Sequence, residues 1–412
     1  MAKITLIVPE NKTDADPMVY PPLGLLYLAA VLERDNHEIY IHDMREEENN
    51  IQNIPLTDYY CFTAVTPQIN RTIEISQHIR KEFGKFTIVG GAHASWKADT
   101  LTNYFDTVVI GEGESVIQYI INDNIRGIID SNKTKIQDIN KIPFPSRHLL
   151  PKKNIVSKSL WSGYRFEKED GPIATTLITS RGCPWKCAFC ANVPQPIRFR
   201  SVENIIGELK NIIEDYNCKN FRFLDDNFTL NKLRLVELSK QFQSLNIQYR
   251  CSARSDLINE EMCELLVKSG CKEIGFGVES GDDSILKLLN KKETVADHKR
   301  AIEIAKSFGL RTKVFLMTGL PGETWESIEL TKKFIMETRP DKWIVTLFIP
   351  YPGSSISNNL KKYNIEIVDK NLSNYIITHP AKSVIKTNLA SREELEKHFD
   401  SLLNYLKESY SL

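Results

Sequence analysis

A chain of 412 residues is too long for one small core and points to two or three domains. Lys plus Arg equals Asp plus Glu, 53 each, so nothing in the charge calls for nucleic acid or an anionic membrane as partner. No apolar run approaches the roughly 18 residues of a membrane span, and the short apolar stretch before Pro9 is unlike a signal peptide, so a cytoplasmic chain with reduced cysteines is expected.

The first 125 residues alternate short apolar strands, at 4–8, 38–42, 59–65, 86–89 and 106–110, with helices such as 23–33 and 69–83. That alternation predicts an α/β domain, a doubly wound parallel sheet of five strands with ligands at their carboxyl ends. Residues 126–170 lose the rhythm, carry Pro143, Pro145 and Pro151, and read as a linker. Longer units follow, with strands at 173–179, 221–224, 247–252, 273–278, 312–317 and 343–348. Helices are expected at 201–215, 232–245, 259–269, 294–307 and 323–338. Six strand–helix units over 171–350 predict a partial (β/α)6 barrel, again with its site at the carboxyl ends. Residues 351–412 read as a small C-terminal α/β or helical extension ending in a helix at 392–408.

Directly after the first strand of the second region comes Ser180-Arg181-Gly182-Cys183-Pro184-Trp185-Lys186-Cys187-Ala188-Phe189-Cys190. Thiolates are the preferred ligands of iron–sulfur clusters. Three cysteines within eight residues can wrap one face of a cubane and leave its fourth iron open to a small molecule. A structural zinc site needs a fourth Cys or His nearby, yet the next cysteine is Cys218 and no His intervenes. Buried packing cysteines rarely crowd so closely. Cys218, Cys251, Cys263 and Cys271 lack close ligand spacing and read as core residues.

On these residues, 171–350 resembles the radical S-adenosylmethionine superfamily. The resemblance implies a [4Fe–4S] cluster on Cys183, Cys187 and Cys190, with the open iron holding the methionine moiety of S-adenosylmethionine. Reduction of the cluster then yields a 5′-deoxyadenosyl radical. Phe189 takes the place of the aromatic residue beside the adenine, or is a core residue. Asp226, in Phe223-Leu224-Asp225-Asp226-Asn227-Phe228, is placed to receive the methionine ammonium group; the other reading is a helix cap. Arg254 is placed to pair with the cofactor carboxylate, or forms a surface ion pair. Glu279 and Ser280 end the fourth strand at the cofactor-contacting position. Gly319 opens Gly319-Leu320-Pro321-Gly322-Glu323-Thr324, where glycine lets backbone approach a ligand, or where Glu323 caps a plain turn.

Residues 1–125 resemble the cobalamin-binding domain that precedes many such barrels. The resemblance rests on Pro21-Pro22-Leu23-Gly24, Gly90-Gly91-Ala92-His93 and Gly111-Glu112-Gly113-Glu114. It implies that Thr63 and Thr66 line the site. Gly90 and Gly91 let the nucleotide tail of cobalamin pass, and Gly111 and Glu112 belong to the same site. His93 is a contact or a hydrogen-bonded loop histidine. The loop at 9–24 holds no histidine, so no lower-axial ligand comes from it. The pair of domains implies a cobalamin-dependent radical methyltransferase. Its substrate is expected to be an unactivated carbon of a small metabolite or biosynthetic intermediate, its electron donor a flavodoxin or ferredoxin. Cyclisation, rearrangement or oxidation with the same cofactors is the alternative enzyme reading. An electron carrier with a fully ligated cluster is the non-enzyme reading.

Overall fold

Runs rich in β-branched and aromatic residues form the strands, and glycines and asparagines in left-handed conformation end many of the helices and turns. The computed structural model describes residues 1–10, 18, 20–46, 49–156, 158–161, 171–191, 196–377 and 382–410. It divides into two compact units, Met1–Ser157 and Lys158–Leu412.

In the first unit, strands β1 (Lys3–Val8), β2 (Glu38–Asp43), β3 (Tyr59–Thr63), β4 (Phe86–Gly90), β5 (Thr107–Ile110) and β6 (Gly127–Asp130) pair in parallel. Their order is β2-β1-β3-β4-β5-β6. The order reverses at β1, so the crevice between the carboxyl ends of β1 and β3 is the topological switch point. Helices α1 (Leu23–Arg34), α2 (Ile69–Glu82), α3 (Ala92–Lys97), α4 (Ile117–Asp123) and α5 (Lys152–Ile155) connect or follow the strands. Leu25 and Ala29 of α1 and Ile117 and Ile120 of α4 pack on Ile4, Leu6, Ile88 and Val109 of the sheet. Each large side chain buried this way contributes roughly 1.5–3 kcal/mol. The sheet has one strand more than expected. β6 lies inside the segment read as linker, and the first unit runs on to Ser157. A four-residue edge strand opened by Gly127 at φ 95° carries too short a pattern to be read from sequence. Residues 157 and 162–170 of that expected linker lie outside the described residues, as does most of the histidine-free loop after β1.

The second unit begins with β7 (Lys158–Ser159), antiparallel to β8 (Ile173–Leu177). β9 (Ser180–Arg181) and β10 (Arg198–Phe199) form a short antiparallel pair that brackets the cysteine loop. Strands β11 (Asn220–Phe223), β12 (Gln248–Ala253), β13 (Cys271–Glu279), β14 (Arg311–Thr318) and β15 (Lys342–Leu347) continue from β8 in parallel. The order β15-β14-β13-β12-β11-β8-β7 leaves two free edges, so the sheet is an open, partial barrel. Its helices are α6 (Val202–Tyr216), α7 (Lys232–Leu245), α8 (Glu260–Lys268), α9 (Asp283–Leu288), α10 (Val295–Ser307) and α11 (Trp325–Thr338). Then come α12 (Ser355–Asn358), the antiparallel pair β16 (Ile365–Ile367) and β17 (Ile385–Thr387), and α13 (Arg392–Ser409).

The helix starts follow their caps. Ser201, Asn231, Asn259 and Thr294 each accept a hydrogen bond from a first-turn N–H. Phe221, Phe223 and Tyr249 face the helices and pack with Phe228 and Phe242. Cys218, Cys251, Cys263 and Cys271 are buried and unpaired by disulfide, as expected for packing residues. Among the described residues no helix is long and apolar enough to cross a membrane.

Candidate functional site

The cysteine loop leaves the carboxyl end of β8 through β9 and turns at Gly182 (φ 94°). Its backbone is pinned at three points. Ala188 N–H donates to Leu289 O (2.7 Å), Ile356 N–H donates to Ala188 O (3.0 Å), and Asn290 Nδ2 donates to Lys186 O (2.7 Å). Cys190 N–H closes a tight turn on Cys187 O (3.2 Å). Cys183 and Cys187 are half-buried and Cys190 is exposed. Burial pushes the thiols of Cys183 and Cys187 up. The Trp185 N–H at Cys183, and the Lys291 and Arg254 cations near both, pull the other way.

Among the described residues no three His, Cys, Asp or Glu side chains converge tightly enough to grip an ion. The three thiols therefore share one short, anchored loop without being drawn onto a common point. Cys183, Cys187 and Cys190 would hold a cluster, and the metal–sulfur bonds would bring their thiols together. The donor set fits such a cluster: three thiols on one loop, an N–H aimed at one of them, and two cations in range.

Behind the loop lies a buried charge network that the sequence did not announce. Arg254 is 7% exposed and lies 4.4 Å over the ring of Trp185. Its guanidinium pairs with Asp256 (3.0 Å) and Glu293 (3.2 Å) and donates to Lys291 O (3.1 Å). Arg254 is thus a buried, paired cation and not a surface ion pair. Its fork is committed to loops of its own unit, and it steadies Trp185. Lys291 bridges Glu279 and Glu293, 3.3 Å from each. Burial works against the Lys291 charge, but the two carboxylates outweigh it and hold its pKa up. Burial also raises Glu279, with Lys291 opposing. Glu293 further accepts Ser255 N–H (2.6 Å), and Ser255 Oγ meets His298 Nδ1 (2.7 Å). Burial, then Lys291, pushes His298 down to about 3. The one signal for Lys291 and Glu293 is the mixed-charge run Lys291-Lys292-Glu293 after a short helix.

The remaining expected residues divide. Asp226 is exposed, and its charge is felt at Cys183. It caps no helix, because Asn231 caps α7. Its neighbour Asp225 is buried and ties down the end of β8, accepting Thr179 N–H (3.1 Å) and the hydroxyls of Thr179 and Ser180. Phe189 is partly buried and packs on a cluster with Leu320, Phe348 and Ile356. Ser280 is buried and accepts Asp282 N–H (3.2 Å), an internal turn contact. Gly319, at φ 75°, gives its N–H to Glu323 (2.8 Å). Glu323 is no helix cap, since Thr324 caps α11. It is buried against His398 Nδ1 (3.0 Å) of α13.

In the first unit the loops after β3 and β4 are stitched together. Ala64 N–H donates to Gly90 O (3.3 Å), His93 N–H donates to Ala64 O (3.3 Å), and His93 Nδ1 meets Thr66 Oγ1 (3.1 Å). His93 is 3% exposed, and burial lowers it to about 4. It is hydrogen-bonded, inward and neutral, at the start of α3 and not in a loop. The two glycines differ. A Cβ on Gly91 would sit 2.8 Å from Thr63 Oγ1 at φ 95°, so the protein's own packing requires glycine there. A Cβ on Gly90 would meet only Val109 Cβ, at an ordinary 3.8 Å. Of this pair, Gly90 has no steric requirement for glycine among the described residues, which suits a ligand lying close to the strand end. Gly111 (φ 87°) is also internally required, facing Ser131 Oγ and giving its N–H to Ser95 Oγ (3.0 Å). Glu112 lies 3.9 Å from Lys135. Gln68, unread in the sequence, spans the switch point by donating to Pro9 O and Glu10 O (3.3 Å each).

Comparison with known proteins agrees with both halves. Residues 16–121 match the B12 binding domain and residues 177–335 match the Radical SAM superfamily. An uncharacterized methyltransferase of Pyrococcus horikoshii is 31% identical over 399 residues, covering 87% of this chain and 84% of that protein. The anaerobic magnesium-protoporphyrin IX monomethyl ester cyclase of Rubrivivax gelatinosus is 23% identical, covering 95% and 80%. The radical S-adenosylmethionine methyltransferase TsrM from Kitasatospora setae, solved with cobalamin and a [4Fe–4S] cluster, superimposes with a TM-score of 0.66 at 16% identity. It covers 97% of this chain and 85% of that one, and so shares the fold. This chain belongs to the cobalamin-binding radical S-adenosylmethionine superfamily and is a radical S-adenosylmethionine enzyme with a [4Fe–4S] cluster and cobalamin as its cofactors.

Proposed function

We propose that the protein is a cobalamin-dependent methyltransferase acting on an unactivated carbon of a small molecule. The observation that carries this is the conjunction in one chain of a switch-point sheet with a bare Gly90 and a three-cysteine loop backed by buried Arg254 and Lys291. The relative named a methyltransferase at 31% identity supports it. When bound, the cluster supplies the electron that splits the sulfonium, and cobalamin carries the methyl group.

The chain's own work is to hold and shield. Cys183, Cys187 and Cys190 are the cluster ligands. Asp226 and Glu279 offer carboxylates to the methionine ammonium group, and Phe189 offers an aromatic face to the adenine. Arg254 steadies Trp185 of the loop and sets a cation beside the thiols. Gly90, with Thr63 beside it, gives the cobalamin tail a smooth strand end, while Thr66, His93, Gly91 and Gly111 shape that end from within. Packing around these groups fixes geometry and keeps water from the reacting atoms. A flavodoxin or ferredoxin in the cytoplasm is the expected electron source.

The cyclase relative favours a second reading, ring closure with the same cofactors. Methyl-labelled S-adenosylmethionine separates the two. Under reducing, anaerobic conditions the methyltransferase passes label to the bound cobalamin and then to product. Label that stays wholly with S-adenosylmethionine and its methionine fragment contradicts methyl transfer.

A further inference from the structure

Three residues without the freedom of glycine adopt left-handed backbone around one ammonium group: Glu279 (φ 66°), Asn290 (φ 52°) and Lys292 (φ 59°). Such conformations cost energy and persist where surroundings over-determine them. Here the determinant is Lys291, whose Nζ stands 3.3 Å from both Glu279 Oε1 and Glu293 Oε2. The strand is shaped to fit. The β13–β14 register shifts between Gly277 and Glu279. A Cβ on Gly277 would lie 2.6 Å from Glu279 Oε1 and 3.0 Å from Lys291 Nζ. Among the described residues, Lys291 is the only side chain bound to the Glu279 carboxylate, and it takes one oxygen. The same turn grips the cysteine loop through Leu289 O and Asn290 Nδ2.

We propose that Lys291 is a positioning residue. Its ammonium group holds the strained Glu279 carboxylate where the second oxygen receives the ammonium group of S-adenosylmethionine. Its turn fixes that aim relative to the cysteine loop. This rests on the cofactor reading of Glu279 given above. The arrangement differs from a plain structural ion pair because strain, bulge and glycine all serve the orientation of one carboxylate. An ion pair needed only for stability requires none of them.

The test uses the full-length chain with its cluster reconstituted. Iron and sulfide content, equilibrium binding of S-adenosylmethionine, and the change that S-adenosylmethionine causes in the electron paramagnetic resonance signal of the reduced cluster are measured. K291M is expected to keep the parent's iron content, to bind S-adenosylmethionine at least about tenfold more weakly, and to lose the spectral change; K291R is expected to recover most of both. K291M with full iron, parental affinity and the parental spectral change overturns the inference. Should K291M fail to take up iron, the near-isosteric E279Q probes the pair from its other end. Weakened binding with full iron supports the inference, and parental binding overturns it. A parent protein that never releases 5′-deoxyadenosine refutes the enzyme reading and this inference with it, whereas parental affinity in the variants refutes the inference alone.

Discussion

The two units solve the same problem, presenting loops at the carboxyl ends of a parallel sheet, by different means. Behind the cysteine loop of the second unit the loops are locked by charge: Arg254 and Lys291 against Asp256, Glu279 and Glu293, nearly all out of solvent. The loops after β3 and β4 of the first unit are locked by neutral hydrogen bonds among Ala64, Thr66, Gly90 and His93. The contrast follows the ligands. A zwitterionic sulfonium compound and a thiolate cluster need cations and carboxylates fixed in advance, because charges reorganise poorly inside a protein. A large corrin and its tail need a smooth surface, which bare backbone supplies.

The two locks should fail differently. The largest effect belongs to the cysteines. Alanine at Cys183, Cys187 or Cys190 should abolish iron uptake and reduce 5′-deoxyadenosine to background in a chromatographic assay, with little change in the far-ultraviolet circular dichroism of the unfilled chain. Next, Arg254→Met removes one of the two cations on buried Glu293 and the partner of the more exposed Asp256, and should cost about 3 kcal/mol, read from the urea midpoint.

The histidines are the place where the units should agree. His298 is held near 3 and His93 near 4 against an ordinary 6.5, so each is neutral when folded and gains its proton on unfolding. Stability should therefore fall as pH drops below 6.5, by about 2 kcal/mol per histidine at pH 5, in urea titrations at the two pH values. H298N should remove its share of that dependence.

Smaller effects distinguish the glycines. G91A meets left-handed backbone and Thr63 and should cost about 1–2 kcal/mol. G90A should leave the urea midpoint nearly unchanged while lowering the cobalamin retained after gel filtration. Thr66→Val removes a neutral partner of His93 and should cost about 1 kcal/mol. If Thr66→Val proved as damaging as Arg254→Met, the distinction between charged and neutral locks would not stand.

What the sequence disclosed tracks how local each signal is. The helix at 232–245 was readable because Asn231 caps it and its apolar positions recur with helical spacing. The cysteine triad was readable because its spacing lies within eight residues. β6 was missed because four residues on an edge carry no alternation, and α9 (Asp283–Leu288) because six residues hold fewer than two turns. The partners of Arg254, Glu293 and the Lys291 carbonyl, were not legible because they come from a distant turn that only the fold brings near. Gly90 and Gly91 look alike in the sequence. They separate only when the approach of Thr63 and Ala64 is known.

One experiment bears on all of this: anaerobic reconstitution of the full chain with iron, sulfide and cobalamin, then addition of S-adenosylmethionine and a strong reductant. The expected outcome is a reduced-cluster signal that changes when S-adenosylmethionine binds, followed by release of 5′-deoxyadenosine and methionine. A fully loaded cluster whose signal is indifferent to S-adenosylmethionine, with no 5′-deoxyadenosine formed, would mean that no iron is open to it and that Cys183, Cys187 and Cys190 serve something else.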